Sequence, residues 1–160
     1  MERDFLKELE FLGVTARLKR LSDNLSYSIK ELYKQNEMDI EPSCHLVILI
    51  LKQKGSSTMS EIAELLQLSQ AAATKMLNKM TQKGYLDTVK DTKDSRKKMI
   101  QLSDKAKLEL PKFERVWDAG QKSIRDILSS NTNFLKNLAD FEQEVKLKNF
   151  QSRALEHLNK

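Results

Sequence analysis

The sequence is poor in residues that interrupt helices, with 4 glycines and 2 prolines among 160 residues. A chain with so few breakers is predicted to be mostly helical. Its single cysteine, Cys44, excludes an intramolecular disulfide framework and is typical of a reducing compartment. The longest apolar run, residues 46–51, is far too short to span a bilayer. Residues 1–10 mix charges with isolated apolar residues, unlike a signal peptide. We therefore expect a cytoplasmic protein without a membrane segment.

The sequence also lacks the motifs that are typical of catalytic or metal-binding sites. The two histidines, His45 and His157, lie far apart, and no cysteines, histidines and carboxylates have the spacing of metal ligands. No serine has a neighbouring activating base, and no glycine-rich phosphate loop is present. We therefore expect no enzyme, no metal and no cofactor. Cys44 begins an apolar helix and is interpreted as a buried structural thiol, with a redox sensor as the alternative.

The positive charge is concentrated in one stretch of the chain. The formal net charge is +5, and residues 69–107 hold ten basic against four acidic residues, a net +6. The remainder of the chain is therefore close to neutral. Such a local excess fits an anionic partner, although a solvated lysine-rich surface would give the same count.

Apolar residues spaced by three or four predict helices over most of the chain. We expect one long helix over 1–37, bent at Gly13, a short apolar helix over 44–54, and two further helices over about 104–129 and 133–160. The first and last of these helices carry apolar stripes with no obvious partner in so small a chain. A second subunit is the simplest way to bury them.

Two short helices in the middle of the chain predict a helix-turn-helix. Thr58 and Glu61 have the spacing of a capping box, which starts a helix over about 60–66. Ser69 is the predicted N-cap of a second helix, which ends at Gly84. The predicted inward residues are Ile62, Ala63, Leu66, Leu68, Ala73, Leu77 and Met80.

The second helix has an outward face that suits the DNA major groove. At about 100° per residue, the side opposite Ala73 holds small, amide and basic side chains, a set able to contact base edges. Its N-terminus is placed for a phosphate. The candidate DNA-binding residues of this helix are Ser69, Gln70, Ala71, Thr74, Lys75, Asn78 and Lys79, with Gln82 also facing outward.

A charged hairpin follows this helix. Residues 85–89 and 98–102 alternate as strands do, and the segment between them is polar and basic. Arg96, steadied by Asp94, is suited to a narrow minor groove. The candidate DNA-binding residues of the hairpin are Lys93, Asp94, Arg96 and Lys97.

These motifs resemble the MarR family of bacterial regulators. The resemblance rests on Ser69–Lys75, the Lys83–Leu86 step into the wing, Asp94–Arg96 at its tip, and Ile100–Ser103. Lys75 departs from an arginine that is frequent in the family, and Ser103 from a threonine. The loss of the bidentate fork at Lys75 is a mild departure.

The resemblance implies a winged helix-turn-helix homodimer that reads pseudo-palindromic double-stranded DNA. The fold class is mainly α with a small β-hairpin wing, with residues 38–103 as the DNA-binding domain and residues 1–37 and 104–160 as the dimerisation region. Many members are repressors released by small phenolic or lipophilic ligands or by thiol oxidation. The alternative is a helical protein-interaction module whose winged domain contacts a protein, because fold alone does not fix function.

Overall fold

The computed structural model describes residues 3–90 and 97–159, which form eight α-helices and three short strands. The chain divides into two compact units, Met1–Trp117 and Asp118–Lys160. The predicted class, mainly helical with a small β wing, is confirmed. The elements in chain order are α1 (Phe5–Glu8), α2 (Val14–Gln35), α3 (His45–Lys54), β1 (Ser56–Ser57), α4 (Met59–Leu65), α5 (Gln70–Gln82), β2 (Leu86–Lys90), β3 (Lys98–Leu102), α6 (Asp104–Ile127), α7 (Phe134–Leu147) and α8 (Phe150–Leu158).

The prediction of one helix over residues 1–37 is wrong. The chain makes the single turn α1, then a 3-10 turn over Glu10–Gly13, and only then α2. Glu10 adopts a positive φ of 46°, which ends regular helix. At Gly13, a Cβ atom would lie 2.1 Å from the carbonyl oxygen of Leu6. The close approach of the two backbones therefore requires glycine at this position.

One hydrophobic core joins α2 to α6 within the first unit. Helix α3 contributes Val47, Ile48 and Leu51 to this core, whereas its Leu46 and Leu49 are exposed, so the sequence expectation that the whole helix is buried holds for one face only. The core residues on the two helices of the helix-turn-helix are Ile62, Leu77 and Met80, and the sheet and α6 add Leu86, Ile100, Leu102, Ala106 and Phe113. Packing on this core fixes α5 and the wing relative to each other.

The sheet has three antiparallel strands in the order β1-β3-β2. Strands β2 and β3 form the predicted hairpin, in which Leu86 lies opposite Leu102 and Lys90 opposite Lys98. Strand β1, which the sequence did not predict, pairs Ser56 and Ser57 with the base of β3. Two serines carry no alternation of apolar and polar residues, so only the tertiary pairing defines this strand.

The prediction of one helix over residues 133–160 is also wrong, because this segment forms two helices. Lys148 adopts an extended conformation with φ −151° and ψ 117°. Asn149 then caps α8, its side-chain oxygen accepting a hydrogen bond from the Ser152 amide at 2.9 Å. The apolar spacing runs on through this break, which hides the break from a search for periodicity.

Within residues 3–90 and 97–159, no helix combines the length and apolar character needed to cross a membrane.

Candidate nucleic-acid interface

Local side-chain caps define both helices of the helix-turn-helix. The Glu61 amide donates to Thr58 Oγ1 at 3.2 Å, and the Thr58 amide donates to Glu61 Oε2 at 2.9 Å. The Ala72 amide donates to Ser69 Oγ at 3.2 Å. These contacts confirm the predicted capping box of α4 and the predicted N-cap of α5, since each satisfies an amide that the first helical turn leaves unpaired.

The inward face of the helix pair follows the prediction. Ile62, Ala63, Ala73, Leu77 and Met80 are buried, whereas the predicted inward leucines 66 and 68 are half-buried. Ala63 and Ala73 are each only 1% exposed, so each helix of the pair has a small side chain that is fully enclosed.

The outward face of α5 is open to solvent. Its exposed residues include small, amide and basic side chains, namely Gln70, Ala71, Lys75, Asn78, Lys79 and Gln82. Thr74 is half-buried, and its hydroxyl donates to the Gln70 carbonyl oxygen at 2.7 Å. Ser69 is exposed, although its hydroxyl oxygen is engaged in the cap. The face thus offers amide and ammonium donors at the positions expected from the sequence.

Two carboxylates that the sequence did not single out lie beside this helix. Lys79 Nζ lies 2.7 Å from Glu41 Oε1, and Lys83 Nζ lies 2.5 Å from Asp39 Oδ1. The hydrogen bond from Lys79 holds the pKa of Glu41 below its ordinary value, and the one from Lys83 does the same for Asp39. The partners are 38 and 44 residues apart in sequence, so no local pattern could have paired them.

The carboxyl end of α5 is fixed to the start of α6. Gly84 has φ 79°, the left-handed conformation that commonly ends a helix. The Ser103 hydroxyl donates to the Gly84 carbonyl oxygen at 2.6 Å, and Lys105 Nζ donates to the Lys83 carbonyl oxygen at 2.8 Å. Carbonyl groups that the helix end leaves unpaired are thereby satisfied.

The wing is described only in part. Lys97 is exposed beside the start of β3. The other predicted residues of its tip, Lys93, Asp94 and Arg96, lie outside the described residues. Their roles stay predictions.

Cys44 and Trp117 lie in the core region and not on the outward face of α5. Cys44 is 3% exposed, and burial raises the pKa of its thiol. Trp117 Nε1 donates to Tyr33 Oη at 2.7 Å, and its ring packs against those of Phe113 and His45. Among the described residues, no three histidine, cysteine, aspartate or glutamate side chains group as metal ligands.

Comparison with known proteins agrees with this geometry. Residues 40–98 match the MarR family model. The chain is 45% identical over 60 residues to the transcriptional regulator AdcR of Streptococcus pneumoniae, covering 38% of this chain and 41% of AdcR. It is 33% identical over 93 residues to the HTH-type transcriptional repressor MdtR of Bacillus subtilis, covering 58% and 57% of the two chains. The matches therefore span about half the length of these curated relatives.

Solved structures share the fold over most of the chain. The structure of overoxidized AbfR bound to DNA superposes with a TM-score of 0.66 at 23% identity, covering 88% of this chain and 96% of that one. A mutant MarR from E. coli complexed with operator DNA gives a TM-score of 0.65 at 17% identity, covering 89% and 99%. The helix-turn-helix lies within residues 40–98, the segment that matches the MarR family model, and the fold is similar to that of the solved E. coli MarR over most of the chain.

Proposed function

We propose that the chain is a sequence-specific transcriptional regulator, and not an enzyme, that binds double-stranded DNA as a homodimer on pseudo-palindromic operators. The observation that carries the proposal is the outward face of α5, where Lys75 and Asn78 are exposed at the middle of a helix packed firmly from behind. Lysine can reach guanine O6 and N7, and asparagine can pair with adenine N6 and N7. The names of AdcR and MdtR support a role in transcription, which would place the protein in the bacterial cytoplasm.

Each predicted site residue has a role in this proposal. Ser69 and Gln70, at the N-terminus of α5, contact phosphate. Ala71, Thr74, Lys75 and Asn78 face the base edges, and Lys79 lies on the flank of the helix. The basic wing residues Lys93, Arg96 and Lys97 contact the neighbouring groove or its phosphates.

At the wing, we propose that Arg96 enters a minor groove and that Asp94 orients it. Replacing Arg96 by lysine keeps the charge but loses the planar fork and adds hydration. Arg96→Lys should therefore weaken binding clearly, whereas a residue that only neutralised a phosphate would tolerate lysine. Asp94→Ala should weaken binding as well, although electrostatics alone predicts tighter binding. Affinities on one duplex at several salt concentrations decide between these outcomes.

The finer proposal is that a small lipophilic or phenolic ligand releases the protein from DNA. Its support is the resemblance to a family in which many repressors respond to such compounds. Selection of bound duplexes from a random pool tests the main proposal, and repeating it with candidate ligands tests the finer one. Enrichment of a pseudo-palindrome with steep salt dependence is expected. No enrichment, with capture of a protein through the winged domain, would favour the interaction-module alternative.

A further inference from the structure

The short connection between α2 and α3 holds two carboxylates against one flank of α5. We call Asp39 and Glu41 the acidic pair, and Lys79 and Lys83 the flank lysines. Each carboxylate forms an ion pair with one flank lysine, at 2.5 Å for Asp39 and 2.7 Å for Glu41. Lys79 lies in the last turn of α5 and Lys83 is its C-cap residue, four positions later, so both side chains lie on the same side of the helix.

The acidic pair is charged and in contact with solvent. Hydrogen bonds from the flank lysines hold the pKa of both carboxyl groups below their ordinary values, so both are ionised at neutral pH. The Glu41 and Lys79 side chains are 40% and 49% exposed. Lys30 and Lys105 lie near enough to add to the positive field around the pair. Because the pairs are accessible to solvent, another anion can reach the flank lysines.

DNA is that anion if α5 enters the major groove. A helix with its side chains is about 10–12 Å across, close to the groove width of about 12 Å. Both flanks of the helix then lie near a phosphate backbone. On the side of α5 that carries the flank lysines, phosphates would therefore meet lysines that already have carboxylate partners.

We propose that the acidic pair limits the affinity of this chain for DNA of any sequence, because its carboxylates compete with DNA phosphates for the flank lysines. The inference rests on the proposed function above. Binding to arbitrary sequence depends almost entirely on phosphate contacts, whereas binding to an operator adds contacts to base edges. Pairing two lysines with carboxylates therefore lowers the affinity for both kinds of DNA by a similar factor, and arbitrary DNA has no base contacts that offset the loss.

The test uses the full chain with Glu41→Gln, Asp39→Asn and the matched control Glu114→Gln. Glu114 forms an ion pair with Lys52 of α3, so the control removes the same charge from a pair that leaves α5 untouched. Affinities are measured on a selected operator duplex and on an unrelated duplex of equal length. The salt concentration runs from about 50 mM to about 200 mM. Circular dichroism checks that every variant is folded.

Glu41→Gln should raise the affinity for the unrelated duplex severalfold, and the affinity for the operator by a similar factor. Its salt dependence on the unrelated duplex should steepen by about one phosphate contact per bound protomer, a slope change of about 0.9. Asp39→Asn should act in the same direction through Lys83. The double change Glu41→Gln with Lys79→Gln should return the salt slope towards that of the unmodified chain, which shows that the freed lysine causes the gain.

Two outcomes would overturn the inference. One is an unchanged or weaker affinity of Glu41→Gln for unrelated DNA with an unchanged salt slope, which would mean that the carboxylate only supports α5. The other is a gain of equal size in Glu114→Gln, which would reduce the effect to net charge. Failure of the proposed function is distinguishable from both, because the unmodified chain would then show no salt-dependent preference for any duplex.

Discussion

Asn78 lies at the middle of the exposed face of α5, one turn after Lys75 and away from every cap that holds the helix. Its amide is the group on this face best suited to pair with an adenine edge. We expect Asn78→Ala to cost about 1–3 kcal/mol on the preferred duplex and clearly less on random DNA. Alanine also favours helix, so a folding defect is not expected. Fluorescence anisotropy titrations on both duplexes measure the difference.

The matched control for Asn78→Ala is Asn137→Ala on α7, which makes the same change at another exposed helical position. It should leave both affinities unchanged. Equal losses on preferred and random DNA for Asn78→Ala would show that this side chain does not read bases.

Cys44 illustrates how burial decides the chemistry of a single residue. The thiolate is the reactive form of cysteine, and burial both raises the pKa of this thiol and shields its sulfur. We expect Cys44 to react with a disulfide reagent far more slowly in the native protein than in guanidinium chloride at the same pH. Absorbance of the released thiol measures both rates. Rapid native reaction would favour the redox-sensor alternative.

At the scale of elements, the sequence was most informative where structure is local. Thr58, Glu61 and Ser69 make contacts within three residues, so a short motif is enough to place them. The two strands of the wing and the inward face of α5 follow from periodicity. Strand β1 and the acidic pair depend on partners roughly forty residues away, and no pattern within a window could reveal them.

The turn between α1 and α2 gives a prediction about elements. Gly13→Ala places a methyl group against the Leu6 carbonyl, and overpacking of this kind typically costs about 1–3 kcal/mol. The free energy of unfolding should therefore fall by about 1–3 kcal/mol in this variant. Denaturant titration at a fixed protomer concentration measures it, because self-association alters apparent stability.

Gly120, inside α6, offers a control in which the change in the free energy of unfolding is expected to have the opposite sign. A Cβ atom there meets nothing within 4 Å, and alanine favours a helix interior over glycine by about 0.5–1 kcal/mol. Gly120→Ala should therefore stabilise the protein slightly. If both variants moved in the same direction, the close approach at Gly13 would not be the cause of its effect.

At the scale of the whole molecule, large apolar side chains remain exposed on helices near both ends of the chain. Those on the terminal elements include Phe5, Phe11, Leu12, Leu135, Leu147, Phe150 and Leu158. Contiguous apolar surface is rarely left open in a monomer. The predicted dimerisation region, residues 1–37 and 104–160, contains all of these residues and stays a prediction.

We expect removal of residues 149–160 to give a monomer or an aggregate, because the deletion takes away α8 and its apolar residues. A milder variant, Phe150→Ser, should weaken dimerisation, whereas Gln151→Ser at the neighbouring exposed position should not. Sedimentation over a range of concentrations measures the association. A truncated chain that remained a well-folded dimer would contradict the proposed role of this segment.

The short length of β1, two residues against five in each of β2 and β3, leads to an expectation about how the wing opens in time. Strand β1 reaches only Ile100 and Gln101 of β3, whereas β2 runs along the strand to Lys98. The base of β3 is therefore held from both sides and its outer half from one side only. Local openings draw on the least supported hydrogen bonds, so amide hydrogen exchange along β3 should quicken from Gln101 towards Lys98. The wing would then fray from its outer end while its base stays attached to the core.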